Sequence, residues 1–154
     1  MCEKTDYKTQ LNQNGVISII PSGFSMWPFL KNKGQSVIIQ KIEKPLKKLD
    51  VVLYLRADGT LVLHRIVDVL DGEYLLQGDS QFYVEKVNKD NVIGVMVGFY
   101  KGKKYISADD DKYLKKVEKW CKKGKIVKSK IKWFYLKLRI KSKLKRIFCK
   151  KDVK

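Results

Sequence analysis

The sequence predicts a mostly-β domain followed by basic amphipathic C-terminal helices, and three observations carry that prediction. Six short runs of β-branched and aromatic residues lie between residues 15 and 100, punctuated by Gly, Pro and Asp. No helical period is evident before residue 108. From Asp111 the apolar spacing switches to three and four, and the charge changes with it. Residues 111–154 hold 19 Lys/Arg against 3 Asp/Glu, a net +16, whereas the segment 1–110 carries +2 of the total +18. A chain of 154 residues that is 44% hydrophobic fits one domain with a real core.

Taken in order, residues 1–14 are polar and predict a flexible N-terminal arm. Residues 15–107 form the β domain. Gly15 to Pro21 is a short strand stopped by proline, and Ser22 to Pro28 is a turn marked by Gly23 and Pro28. Ser36 to Glu43 is a second strand, and Lys44 to Asp50 a loop around Pro45. Val51 to Arg56 and Thr60 to Asp68 are strands three and four, joined through Ala57-Asp58-Gly59, whose Asp-Gly pair suits a hairpin. Asp71-Gly72 marks a second hairpin, leading into Glu73 to Gln77. Asn91 to Tyr100 is a long final strand in which Gly94 and Gly98 predict a bulge or bend. Residues 108–154 are a basic amphipathic helical tail. Tyr113, Leu114, Val117, Trp120 and Cys121 line one helix, which Gly124 can end. Val127, Ile131, Phe134, Leu138, Ile140, Leu144, Ile147 and Phe148 line a second.

Several classes are excluded by composition. Cys2, Cys121 and Cys149 are odd in number and far apart, without a Cys-x-x-Cys pair, so neither a disulfide framework nor a zinc ribbon is supported. One histidine rules out a His-rich metal site; no metal and no cofactor is expected. No apolar run reaches the length of a transmembrane helix, and Met1 to Asn14 lacks the apolar stretch of a signal peptide. The expected location is cytoplasmic, peripherally associated with a membrane.

Three places in the β domain can carry chemistry. Ser25 sits in the tight turn Ser22-Gly23-Phe24-Ser25-Met26-Trp27-Pro28. A serine hydroxyl needs a base within hydrogen-bond reach and donors for the developing oxyanion, and a tight turn exposes hydroxyl and backbone N–H together. Most serines in Gly/Pro turns are only turn residues. His64 is the one histidine, inside a strand of strong β formers, and shares a face with Val62 and Ile66. A partly buried histidine bonded to a carbonyl is the ordinary reading. The functional reading is a general base, because imidazole is mostly neutral at pH 7. Asp79, in Gly78-Asp79-Ser80 at a strand end, is a turn former or the acceptor that orients an imidazole. Asp68 and Asp71 fit hairpin turns better.

Together these residues resemble type I signal peptidases. Ser22-Gly23-x-Ser25-Met26-x-Pro28 is similar to the nucleophile box of that family. Leu49-Asp50-Val51-Val52-Leu53-Tyr54 resembles its Gly-Asp-Val-Val-x-Tyr strand, and Leu76-Gln77-Gly78-Asp79-Ser80 its Gly-Asp-Asn/Ser box. His64-Arg65 follows Ser25 at about the spacing at which the family carries its base. Bacterial members mostly use Lys there, and the archaeal, endoplasmic-reticulum and sporulation branch uses His. The resemblance spans roughly residues 16–100. It implies a signal-peptidase/LexA-type β domain and a serine endopeptidase that cleaves a leader or precursor peptide. Ser25 is then the nucleophile, His64 the general base and Asp79 the orienting acid. An acidic residue several positions later also matters in the histidine branch, and Glu85 lies near that place. Ser25 N–H and the Ser22 hydroxyl are the implied oxyanion donors, with Met26 in support. The substrate, a peptide or preprotein, would lie as an added strand. Gln35 stands where the family usually has Asp, Leu49 replaces Gly, and an N-terminal membrane anchor is not evident.

The tail suggests a second partner. Lysines on one face with Trp120, Trp133, Phe134, Tyr135 and Phe148 on the other fit an anionic membrane surface bound through residues 111–154. Nucleic acid competes, since phosphate contacts need only Lys/Arg, but it does not require an apolar stripe. A third reading packs the stripe on the β domain. The competing function is a non-catalytic or regulatory β-domain protein that binds anionic membrane or nucleic acid through this tail. Self-cleavage of the LexA-repressor kind is disfavoured. The segment 1–24 ahead of Ser25 is too short for a DNA-binding domain, and the only alanines are Ala57 and Ala108.

Overall fold

A computed structural model describes residues 7–31 and 34–123. The protein is mostly β: eight antiparallel strands in one sheet, with two short helices. The strands are β1 (Val16–Ile19), β2 (Val37–Gln40), β3 (Val51–Leu55), β4 (Leu61–Val69), β5 (Glu73–Gln77), β6 (Glu85–Asn88), β7 (Val92–Lys101) and β8 (Lys104–Ser107). The helices are α1 (Tyr7–Asn14) and α2 (Asp111–Lys122). The sheet order is β1-β2-β7-β3-β4-β5-β6, with β8 paired to β7.

Side-chain alternation sorts the sheet into two apolar faces. On β3, Val51 and Leu53 point into one cluster, while Val52 and Tyr54 point into the other. All four are buried, so both faces of this strand are covered, which explains its unbroken apolar sequence. The first cluster, with Ile39, Leu63, Met96 and Phe99, is covered by Leu11 of α1, by Met26 and Leu30 of the serine turn, and by Tyr113 and Val117 of α2. The second gathers Ile66, Tyr74, Leu76, Val87 and Val92.

Long β7 joins the halves. It pairs with β2 over Val95–Phe99, with β3 over Val92–Val95 and with β8 over Gly98–Lys101. The register slips beside both of its glycines, between the pairs Ile38–Gly98 and Ile39–Met96 and again between Leu53–Gly94 and Tyr54–Val92. These are the bulges that Gly94 and Gly98 lead one to expect. A Cβ on Gly94 would run into Ile39 and Leu11, so this glycine also lets α1 lie close on the sheet.

Two sequence expectations change here. The N-terminal segment is not a loose arm throughout: Tyr7–Asn14 is helical, and Leu11 is only 1% exposed. One buried leucine in a polar segment anchors a helix that periodicity does not reveal. The start of the expected tail, residues 111–118, also belongs with the β domain. α2 buries Tyr113 and Val117, and Lys112, Lys115, Lys116, Lys119 and Lys122 stay exposed. The second expected helix, 127–148, lies outside the described residues. Among those described, no helix is long and apolar enough to cross a membrane.

Candidate active site

The turn that carries Ser25 is built from inside. Gly23 takes φ +88°, a left-handed conformation that suits glycine. The Trp27 N–H donates to the Phe24 carbonyl at 3.0 Å and the Leu30 N–H to the Met26 carbonyl at 2.9 Å. Met26 and Leu30 are buried in the first cluster, which fixes the turn and leaves Ser25 half-buried. Ser22 is exposed on the approach to the turn. Met26 therefore holds the turn through packing.

The loop after β5 holds this turn from far along the sequence. The Ser80 N–H donates to the Ser25 carbonyl at 2.8 Å. The Ser80 hydroxyl donates to the Phe24 carbonyl at 2.7 Å and lies 3.1 Å from that of Ser25. Gly78 permits the approach, because a Cβ there would sit 2.8 Å from the Ser25 carbonyl oxygen. β5 enters this loop directly from its pairing with β4, where Gln77 stands opposite Arg65. The Ser22–Pro28 turn and the Gly78-Asp79-Ser80 loop are thus bonded to each other, next to the strand that carries His64.

His64 is 1% exposed and lies opposite Val52 of β3. Tyr54, two residues along β3, places its hydroxyl 3.1 Å from His64 Nδ1. That hydroxyl donates to Glu85 Oε2 at 2.8 Å. Glu85 also receives Arg56 Nε at 2.8 Å on the same oxygen and Arg56 Nη2 on the other. Glu85 Oε1 is 3.7 Å from His64 Nδ1. Burial pushes the imidazole down to about 4; Glu85 opposes the shift and Arg56 adds to it. His64 is therefore neutral at pH 7. Burial works to raise the Glu85 carboxyl, but the hydrogen bonds from Arg56 and Tyr54 hold it below the ordinary range. Burial and the neighbouring Glu85 charge push the Tyr54 phenol well above its ordinary value. The network thus contains an anionic Glu85, a protonated Tyr54 and a neutral His64.

Asp79 lies elsewhere. Arg65 Nε and Nη2 donate to its two carboxylate oxygens, each at 2.7 Å. Neighbours on a strand point to opposite faces, so His64 and Arg65 look into different clusters. Arg65, 1% exposed, also donates to the Leu49 carbonyl at 2.8 Å and to the Tyr113 hydroxyl at 3.2 Å. Its guanidinium lies over the Phe29 ring, 5.5 Å from the centroid. Burial disfavours its charge, but Asp79 more than offsets this and keeps Arg65 firmly protonated. The acid expected to orient His64 is thus clamped by the next residue along the strand. Glu85 and Tyr54 occupy the Nδ1 side of the ring.

Leu49 takes φ +77° in the position where the resembling motif has glycine. Its N–H donates to the Ile66 carbonyl at 2.9 Å, and its own carbonyl accepts from Arg65. Those two bonds hold a conformation that costs an L-residue about 1–2 kcal/mol.

Sequence reasoning missed Tyr54, Arg56 and the partners of Arg65. Tyr54 had a usable signal, since the Ala57-Asp58-Gly59 hairpin sets the β3–β4 register that puts Tyr54 and His64 on one face. Among the described residues, the Ser25 hydroxyl makes no hydrogen bond to the imidazole, and no group of three His, Cys, Asp or Glu could hold a metal ion. No model of a known protein family matches the chain, and no curated protein is significantly similar to it.

Proposed function

We propose that the protein is a serine endopeptidase of signal-peptidase type, acting on a leader or precursor peptide on a signal-peptidase/LexA-type β domain. The observation that carries this reading is the clasp of Gly78-Asp79-Ser80 on the Ser25 turn, beside the strand of a buried, neutral His64. Two separated sequence boxes, the Ser25 turn and the Gly-Asp-Ser loop, are bonded to each other, and Gln77 at the start of that loop pairs with Arg65, the residue after His64.

The Ser25 hydroxyl would attack the scissile carbonyl while His64 Nε2 takes its proton. The imidazolium then returns that proton to the departing amine, and water hydrolyses the acyl-serine by the same route. Proton transfer requires a contact of about 2.6–3.2 Å between Oγ and Nε2, and unliganded sites commonly close such contacts only with substrate bound. The Ser25 N–H and the Ser22 hydroxyl are the candidate oxyanion donors.

The test is cleavage of small precursor peptides, read by mass spectrometry of peptides from cells with and without Ser25. Ser25→Ala and His64→Ala should each abolish processing while the fold persists. Full processing by both variants would end the proposal.

The membrane reading of the tail takes a narrower form. The buried ring of Tyr113 and side chain of Val117 are used in the β domain's core, so over residues 111–118 α2 would offer a membrane its lysines rather than these apolar side chains. Each lysine near an anionic surface contributes about 1 kcal/mol, a salt-sensitive attraction.

A further inference from the structure

We propose that Tyr54 is the positioning residue for His64: its hydroxyl donates to Glu85 and accepts the imidazole Nδ1–H, leaving Nε2 bare on the opposite side of the ring. The resulting chain is base, phenol, carboxylate, with the phenol inserted where a carboxylate alone was expected.

Hydrogen counting drives the inference. A phenol has one proton to donate and oxygen lone pairs to accept with. Glu85 as a carboxylate can only accept, and it lies 2.8 Å from the Tyr54 oxygen. The Tyr54 proton is therefore committed to Glu85. The remaining contact, 3.1 Å from the same oxygen to His64 Nδ1, is a hydrogen bond only if nitrogen supplies the proton. A neutral imidazole holds one N–H, so Nε2 carries the lone pair. The alternative tautomer would set a bare Nδ1 against an oxygen whose proton is already used, in a site with almost no water contact.

The arrangement is held from three strands. Tyr54 is fully buried on β3, His64 lies on β4 and Glu85 starts β6. Arg56 takes both oxygens of Glu85, which aims the carboxylate at Tyr54 and keeps it charged. Asp79 is engaged by Arg65. The catalytic consequence rests on the peptidase reading, whereas the tautomer does not.

The chain contains a single histidine, so protein labelled with 15N-histidine gives one pair of ring nitrogens in an NMR spectrum. At pH 7 the wild type should show the proton on Nδ1 and none on Nε2. Tyr54→Phe keeps the ring and removes the hydroxyl, and should shift the population toward the Nε2–H form. Where precursor cleavage is measurable, its kcat should fall about tenfold or more with KM unchanged, the pattern of lost base orientation. An Nε2–H signal in the wild type overturns the inference by itself, even if Tyr54→Phe fails to fold. An unchanged tautomer in a folded Tyr54→Phe overturns it too. Ser25→Ala should leave the tautomer intact; if that variant still cleaves, the peptidase reading fails while the Tyr54 bridge stands.

Discussion

Replacing Gly78 with alanine tests the clasp that brings the sequence boxes together. The new Cβ would lie 2.8 Å from the Ser25 carbonyl oxygen, 2.7 Å from Gln81 Oε1 and 2.9 Å from Gln81 Cδ. The Gln81 side chain can swing aside. The Ser25 oxygen can move only with its turn, which Met26 and Leu30 pin to the core. Ordinary contact begins near 3.4 Å, so the turn and the loop must separate by about 0.6 Å. That strain should destabilise the fold by about 1–3 kcal/mol, the usual range for an overpacked site. It also stretches the Ser80 N–H bond to Ser25, which measures 2.8 Å at rest. Productive geometry tolerates about 0.5 Å, and a 1 Å misplacement costs about a hundredfold in rate, so cleavage should drop by roughly tenfold. Urea unfolding gives the stability change, and hydrogen exchange at the Ser80 amide reports the clasp directly. Adding Gln81→Ala should restore little, because the backbone oxygen is the rigid obstacle. Wild-type stability together with wild-type Ser80 protection in Gly78→Ala would refute the reasoning.

Other consequences are equally direct. His64 is pushed from 6.5 to about 4 on folding, so below pH 6.5 the unfolded chain binds a proton that the folded one refuses. Its contribution is full above pH 6.5 and falls away by about 3 kcal/mol as the pH drops to about 4; His64→Gln should flatten that slope in urea titrations, and parallel slopes would contradict the burial argument. On the proposed peptidase reading, the acid limb of cleavage should lie near pH 4, and a limb near 6.5 would mean an exposed imidazole. Arg65→Met takes the bidentate guanidinium away from the buried Asp79 carboxylate and should destabilise the protein by about 3–5 kcal/mol, with most of the loss recovered in Arg65→Met/Asp79→Leu; additive losses would show the two are not coupled. Reversing Lys112, Lys115 and Lys116 to glutamate should weaken flotation with anionic vesicles without lowering Tm. Unchanged flotation would remove α2 from any membrane contact.

The strands that the sequence made legible are those with a large apolar content. β3 reads as an unbroken apolar run because both its faces are covered, and β7 shows its bulges through Gly94 and Gly98. β6 and β8 escaped because each is four residues long and largely polar: in β6 only Val87 is buried. α1 escaped because Leu11 is its one buried residue in a polar segment. At the candidate site, residue type singles out Ser25 and His64 only as an ordinary turn serine and strand histidine, and their proposed roles come from the resemblance to type I signal peptidases. The carboxylate assignment was not visible in the same way. The resemblance leaves both Asp79 and Glu85 as candidates for His64, and only pairing decides which face each carboxylate reaches. The β5–β6 register sets Glu85 opposite Leu76, whose side chain lies in the same cluster as Tyr54.

Arg65 explains why the two carboxylates are divided in this way. A guanidinium that is 1% exposed must find compensation nearby, and Asp79 supplies it with two parallel hydrogen bonds. The same group donates to Leu49, stacks on Phe29 of the serine turn and reaches Tyr113 of α2. Tyr113 in turn meets Phe29 edge-on at 5.8 Å. One buried charge therefore ties together the strand that bears His64, the turn that bears Ser25 and the helix that begins the basic tail. Had Asp79 been spent on His64 instead, Arg65 would be a buried cation without its bidentate partner, a loss of several kcal/mol. Stability of the β domain and orientation of the imidazole thus call for two different acids, and the alternation of β4 delivers one to each face.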